Sequence, residues 1–166
     1  IWQGIKDGTL QVIATDHCSF DFHGDKQNGK DDFTKCPNGA PGVETRMPIV
    51  FSEGVSKGRL SLNEFAAVTS TNPAKIFGMY PKKGVLAPGS DADIVLMNPD
   101  MEVTITKNIL HENVDYTPYE GIQVKGWPVM TMVRGQVVVE NERLQVPLGF
   151  GRYINRKPVK YMELLK

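Results

Sequence analysis

Chemistry in this sequence is sought first at Gln11-Val-Ile-Ala-Thr-Asp16-His17-Cys18-Ser19. Gln11 to Ala14 read as a short buried strand, and a carboxylate, Asp16, follows at once. A carboxylate at the carboxyl end of a buried parallel strand is where α/β barrels keep their chemistry. The same placement also suits an Asp that only turns or caps the chain. A polar, glycine-bearing loop then runs to about Ala40, long enough to be functional or disordered. It carries Phe20, Phe22 and Phe33 among Asp21, Asp25, Asp31 and Asp32. Aromatic anchors in a polar loop fit a segment that packs over a pocket, and equally a surface excursion. The loop ends in Lys35-Cys36-Pro37-Asn38-Gly39-Ala40-Pro41.

Several elements must position these residues. Residues 1 to 7 read as the end of a helix, with Trp2 and Ile5 on one face and Gly8 at its exit. Val43, Met47, Val50, Phe51 and Val55 lie on one stripe of a helix expected over 43 to 56. A second helix is expected over 62 to 77. Ser61 and Glu64 open it as a capping box, and Asn72-Pro73 interrupts it because proline cannot donate into a helix interior. Helix, strand, loop, helix is the order of one α/β barrel unit.

After Lys83 the pattern turns to strands. Gly84 to Ala87 reads as a strand before the turn at Pro88-Gly89, and 92 to 97 as a second with an apolar end. Met101, Val103 and Ile105 alternate with Glu102, Thr104 and Thr106, the period of a half-buried strand over 101 to 106. Further strands are expected at 129 to 133, 136 to 139 and 144 to 146. The tail from Gly149 to Lys166 is basic and aromatic, suited to a subunit contact or a frayed end.

Composition narrows the classes. Charges balance to a formal net of +0, with 23% charged and 40% hydrophobic residues. There is no basic excess to suggest nucleic acid. No apolar run approaches the roughly 18 residues that cross a bilayer, so no membrane association is expected. Two cysteines, Cys18 and Cys36, are too few for a secreted disulfide framework, and a cytoplasmic protein with two thiols is expected. The chain opens on Ile1-Trp2-Gln3, in the manner of mid-helix, and reads as the carboxyl-terminal piece of something longer.

Several stretches together resemble one family. Thr15-Asp16-His17-Cys18, Asp32-Phe33-Thr34-Lys35, Pro37-Asn38-Gly39 and Glu44-Thr45-Arg46 are similar to the closing barrel segment of cyclic amidohydrolases. Thr69 to Phe77, Lys83 to Val95, Tyr119-Glu120-Gly121 and Gly126-Trp127-Pro128 are similar to its continuation. Hydantoinases and dihydropyrimidinases, enzymes of pyrimidine degradation, look nearest. The resemblance implies an α/β fold: the C-terminal part of a (β/α)8 metal-dependent hydrolase barrel in residues 1–82, a small composite β-sandwich in 83–148, and a tail in 149–166 that contacts a subunit of a homo-oligomer, dimer or tetramer.

The same resemblance implies a cyclic amide substrate, hydantoin or dihydropyrimidine, opened by a metal-activated hydroxide. Two divalent metal ions, most simply Zn²⁺, would be held by Asp16 and by His and Lys ligands upstream of this sequence. His17, His23 and His111 match no ligand position. Asp16 would act as metal ligand, then as general base and general acid. The Asn38 backbone would contact the ring amide, and Gly39 would let that backbone approach closely. The piece alone is expected to be inactive. Two other readings remain: a dihydropyrimidinase-related scaffold that keeps the fold without catalysis, and an allantoinase or dihydroorotase. Asp91 and Asp93 read as structural, Glu44 and Arg46 as helix-end or ion-pair contacts, and His111 as surface.

Overall fold

The computed structural model describes residues 1–159. The first helix is α1 (Trp2–Lys6), with Ile5 buried. α2 (Arg46–Val50) runs on into a π-helical stretch, Phe51–Ser56. α3 (Leu62–Ala66) passes through a π stretch, Ala67–Thr71, into α4 (Asn72–Ile76). The capping box at Ser61 and Glu64 is formed in full. Pro73 does not break the path: the wider π turn just before it absorbs the missing N–H. The helix expected from 43 begins at Arg46, so Val43 lies in the preceding turn and is exposed. Met47, Val50, Phe51 and Val55 face a common core with Phe65 and Ile13.

The strands are β1 (Ile94–Thr104), β2 (Gln123–Val133), β3 (Gln136–Glu140) and β4 (Arg143–Leu144). They form one antiparallel sheet in the order β1-β2-β3-β4. The two strands expected at 92 to 97 and 101 to 106 are one strand, whose pairing with β2 is irregular between Asn98 and Glu102. β2 extends well upstream of the expected 129. Pro128 is tolerated inside it because a register shift falls there: Leu96 pairs Met130 and Met97 pairs Pro128, leaving Val129 as the extra residue. A proline at a bulge removes no ladder bond. Gly84 to Ala87 forms no strand, and its turns instead carry Lys83 toward Asp91 and Asp93.

Two further expectations are corrected. Residues 11 to 14 find no ladder partner among the described residues and form no strand. Neither a closed barrel nor a two-sheet sandwich is formed by the described residues: the sheet is single and its pairings are antiparallel. Lys160 to Lys166 of the expected tail lie outside the described residues. The described part turns back on the fold, with the Lys157 N–H donating to Gly78 O at 2.9 Å. No helix among the described residues is long and apolar enough to cross a membrane.

Sheet and helices share a boundary. Ile105, Leu110, Val124 and Trp127 form the sheet's core, and Ile49 of α2 packs against it. Phe51 approaches β2 at Gly126, where φ is +102° and an added Cβ would lie 2.1 Å from the Phe51 ring. The Phe51 and Phe65 rings meet edge to face, with centroids 5.4 Å apart. This interface sets the helices that carry residues 11 to 46 against the sheet and its long β1–β2 connection.

Candidate active site

The approach to Asp16 is held by side chains in place of a ladder. Ile13 N–H donates to Val68 O at 3.1 Å. Arg46 Nη1 donates to Ile13 O at 2.8 Å, and Asn72 Nδ2 to Gln11 O at 2.9 Å. These bonds supply partners that an extended segment otherwise takes from neighbouring strands. Arg46, expected at a helix end or in an ion pair, is a backbone clamp.

Asp16 is exposed and sits in left-handed backbone, with φ +50°. Asp tolerates that region better than most residues, and such a conformation persists where surrounding structure over-determines it. Here it does. The His17 N–H donates to Thr15 Oγ1 at 3.3 Å, and the Cys18 N–H to Ala40 O at 3.3 Å. His17 Nδ1 accepts from the Gly42 and Val43 N–H groups at 3.1 and 3.3 Å.

The fold also brings Asn38 and Gly39 to this turn. Gly39 has φ +114°, and a Cβ there would lie 2.4 Å from Cys18 O. Only glycine allows the two stretches to run this close. Lys26 Nζ donates to Pro37 O and to Gly39 O, on either side of Asn38, while lying over the Phe20 ring at 5.3 Å. The Asn38 side chain is left exposed. The long loop thus folds onto itself beside Asp16.

A third set of residues escaped sequence reasoning. The β1–β2 connection presents His111, Glu112 and Asp115 to the loop. Glu44 accepts from His111, Glu112 Oε1 accepts the Glu44 N–H at 3.2 Å, and Asp115 accepts the N–H groups of Phe22 and His23 at 2.6 and 3.0 Å. Those N–H donors, His23 first, hold the Asp115 carboxyl down at about 2. The Glu44 carboxylate raises His111 above its usual imidazole range. These partners are 67 to 93 residues apart in sequence, beyond any local pattern. The one available signal was the density of ionisable residues at 111–115.

Among the described residues, no three His, Cys, Asp or Glu side chains converge on a point that could hold a metal ion. Asp16 fits as a single oxygen donor, hard and open to solvent; the residues present do not make a metal centre by themselves.

The amidohydrolase family model matches residues 1–138. A D-hydantoinase from Geobacillus stearothermophilus is 47% identical over 165 residues, covering 99% of this chain and 35% of that protein. A dihydropyrimidinase structure from Brevibacillus agri superposes with a TM-score of 0.93 at 50% identity, over 96% of this chain and 34% of the other. An L-hydantoinase structure from Arthrobacter aurescens gives 0.84 at 40% identity, over 93% and 34%. The chain therefore spans about a third of the length of the relatives it matches.

Proposed function

The chain belongs to the amidohydrolase family, in its hydantoinase and dihydropyrimidinase branch, and from that premise we propose that it is the carboxyl-terminal third of a hydrolase opening the cyclic amide of hydantoins or dihydropyrimidines. The observation that carries this is Asp16: an exposed carboxylate on constrained left-handed backbone, with the Asn38–Gly39 stretch packed against the same turn.

In the whole protein, residues 1–82 would complete a (β/α)8 barrel and 83–148 a β-sandwich. The tail from 149 would contact a neighbouring subunit of a dimer or tetramer. Two free thiols, Cys18 and Cys36, accord with a cytoplasmic protein.

Asp16 would be one ligand of a centre of two divalent ions, most simply Zn²⁺, completed by residues outside this sequence. Such ions, when bound, acidify the attacking water and polarise the amide carbonyl. Asp16 would then take the proton of that water as the new C–O bond forms. It would deliver the proton to the ring nitrogen as the C–N bond breaks, acting first as base and then as acid. The backbone at Asn38, bracketed by carbonyls tied to Lys26, would orient the ring amide.

The test is Asp16→Asn in the full-length protein, with metal content measured by mass spectrometry beside hydrolysis of dihydrouracil and phenylhydantoin. The expected result is lower occupancy of one metal, and a turnover loss of about 10²–10⁴-fold that excess metal does not restore. A metal-replete variant near the parent rate would overturn the role given to Asp16. A parent that hydrolyses neither substrate would overturn the function.

A further inference from the structure

The Glu112 side chain is only 5% exposed, yet its Oε2 has no hydrogen-bond partner in the described structure. A buried carboxylate with an idle oxygen is costly. An apolar residue of like volume would serve stability better. The oxygen that is used, Oε1, accepts the Glu44 N–H. It also stands 3.8 Å from His17 Nδ1, too far for a hydrogen bond. Its hold on His17 therefore runs through the 42–44 turn. That turn aims the Gly42 and Val43 N–H groups at His17 Nδ1. Two N–H groups aimed at one ring nitrogen hold the imidazole in a single orientation. His17 is bonded directly to Asp16 through one peptide group.

We propose that Glu112 is a positioning residue for the Asp16 site: its carboxylate sets the 42–44 turn, the turn sets the His17 ring, and His17 fixes the left-handed backbone that aims Asp16. This rests on the hydrolase reading of Asp16. It assigns a role to a residue on the β1–β2 connection, 96 positions beyond the carboxylate it serves. The idle Oε2 is what this role costs in stability.

The experiment uses the full-length, metal-loaded protein and the variants Glu112→Leu, Glu112→Gln, His17→Ala and the Glu112→Leu/His17→Ala double. Leu keeps the volume and removes the acceptor. Its melting temperature is expected to match or exceed the parent's, with metal content and KM unchanged, while kcat falls by about ten- to a hundredfold, as small misplacements of reacting groups do. Gln, which keeps a carbonyl oxygen for the Glu44 N–H, should recover most of the rate. The double variant should be no slower than His17→Ala alone, because both changes cut one chain of contacts. Amide hydrogen exchange at Gly42, Val43 and Glu44 should quicken in Glu112→Leu, whatever the activity. Parental kcat in Glu112→Leu, additive losses in the double variant, or parental exchange at Gly42 and Val43 would each overturn the proposal. If the parent itself lacks hydrolase activity the functional reading fails, and the exchange measurement still decides whether Glu112 sets the turn.

Discussion

Glu44 grips His111 twice: Oε2 accepts the His111 backbone N–H at 2.7 Å, and Oε1 lies 2.7 Å from Nδ1 of the same residue. The other ring nitrogen, Nε2, lies 3.1 Å from Glu142 O. Both nitrogens thus face acceptors, which favours the doubly protonated ring. The Glu44 hydrogen bond is the largest cause of the raised pKa, and the Glu44 and Glu142 charges add to it.

The sign of the pH effect follows from that shift. A His pKa raised on folding adds stability that is fully present below the unfolded value of 6.5 and is lost as pH rises through the folded value. Glu44→Gln is expected to lower the His111 pKa toward 6.5 and to remove that part of the pH dependence. An NMR titration of His111 in parent and variant checks it. An unmoved midpoint would mean that Glu44 is not the cause.

Asp115 works in the opposite direction. Its carboxyl is depressed to about 2 by the N–H groups of His23 and Phe22, with the His23 ring a further donor at 2.6 Å. Its contribution is present above the unfolded value of 3.8 and is lost as pH falls through about 2. Asp115→Ala is expected to quicken amide exchange at Phe22 and His23 by roughly five- to tenfold, the worth of about one hydrogen bond. Exchange unchanged at both amides would show that the loop is held by other contacts.

Gly126→Ala tests the boundary between sheet and helix. The substitution puts a Cβ 2.1 Å from the Phe51 ring at a φ of +102°, so both overpacking and backbone strain act. A loss of about 3 kcal/mol or more is expected in a urea melt. A variant as stable as the parent would mean that Phe51 has room to move aside.

Asn72→Ala and Arg46→Ala each remove the donor to a part-buried carbonyl of the segment leading to Asp16. An unpaired, part-buried acceptor costs about 1–3 kcal/mol. The loss should be local, read as faster exchange at Ile13, ahead of any change in the sheet. Simultaneous loosening of β2 would argue instead for global destabilisation.

Features set by neighbouring residues were legible in the sequence. Ser61 and Glu64 stand three apart and form the box that their types allow. Val103 and Ile105 turn inward as their alternation requires, but Met101, at the irregular pairing between Asn98 and Glu102, is exposed. The apparent break at Asn98 to Asp100 was misleading, because a strand can carry unpaired residues through a bulge without ending. Residues 11 to 14 differ for another reason: Gln11 to Ile13 are only half-buried and Ala14 is exposed, and an apolar run does not by itself supply a ladder partner among the described residues. In the site, Asp16 and Gly39 could be named from motif types, but not their juxtaposition, which depends on Gly39 fitting under Cys18 O. The His111, Glu112 and Asp115 contacts had no local signature, since each joins positions far apart in the chain.

That separation has a consequence during synthesis. The Phe22–His23 stretch of the loop is fastened by Asp115, 92 to 93 positions ahead, so on a ribosome it emerges well before its fastener does. At ordinary elongation rates the gap lasts on the order of 4 to 20 s. Throughout that time α3 and α4 can fold from near neighbours and the turn at Asp16 can meet Ala40, Gly42 and Val43, while Phe22 and His23 wait unpinned. The Phe22–His23 stretch is therefore among the last parts of the described chain to be set in place.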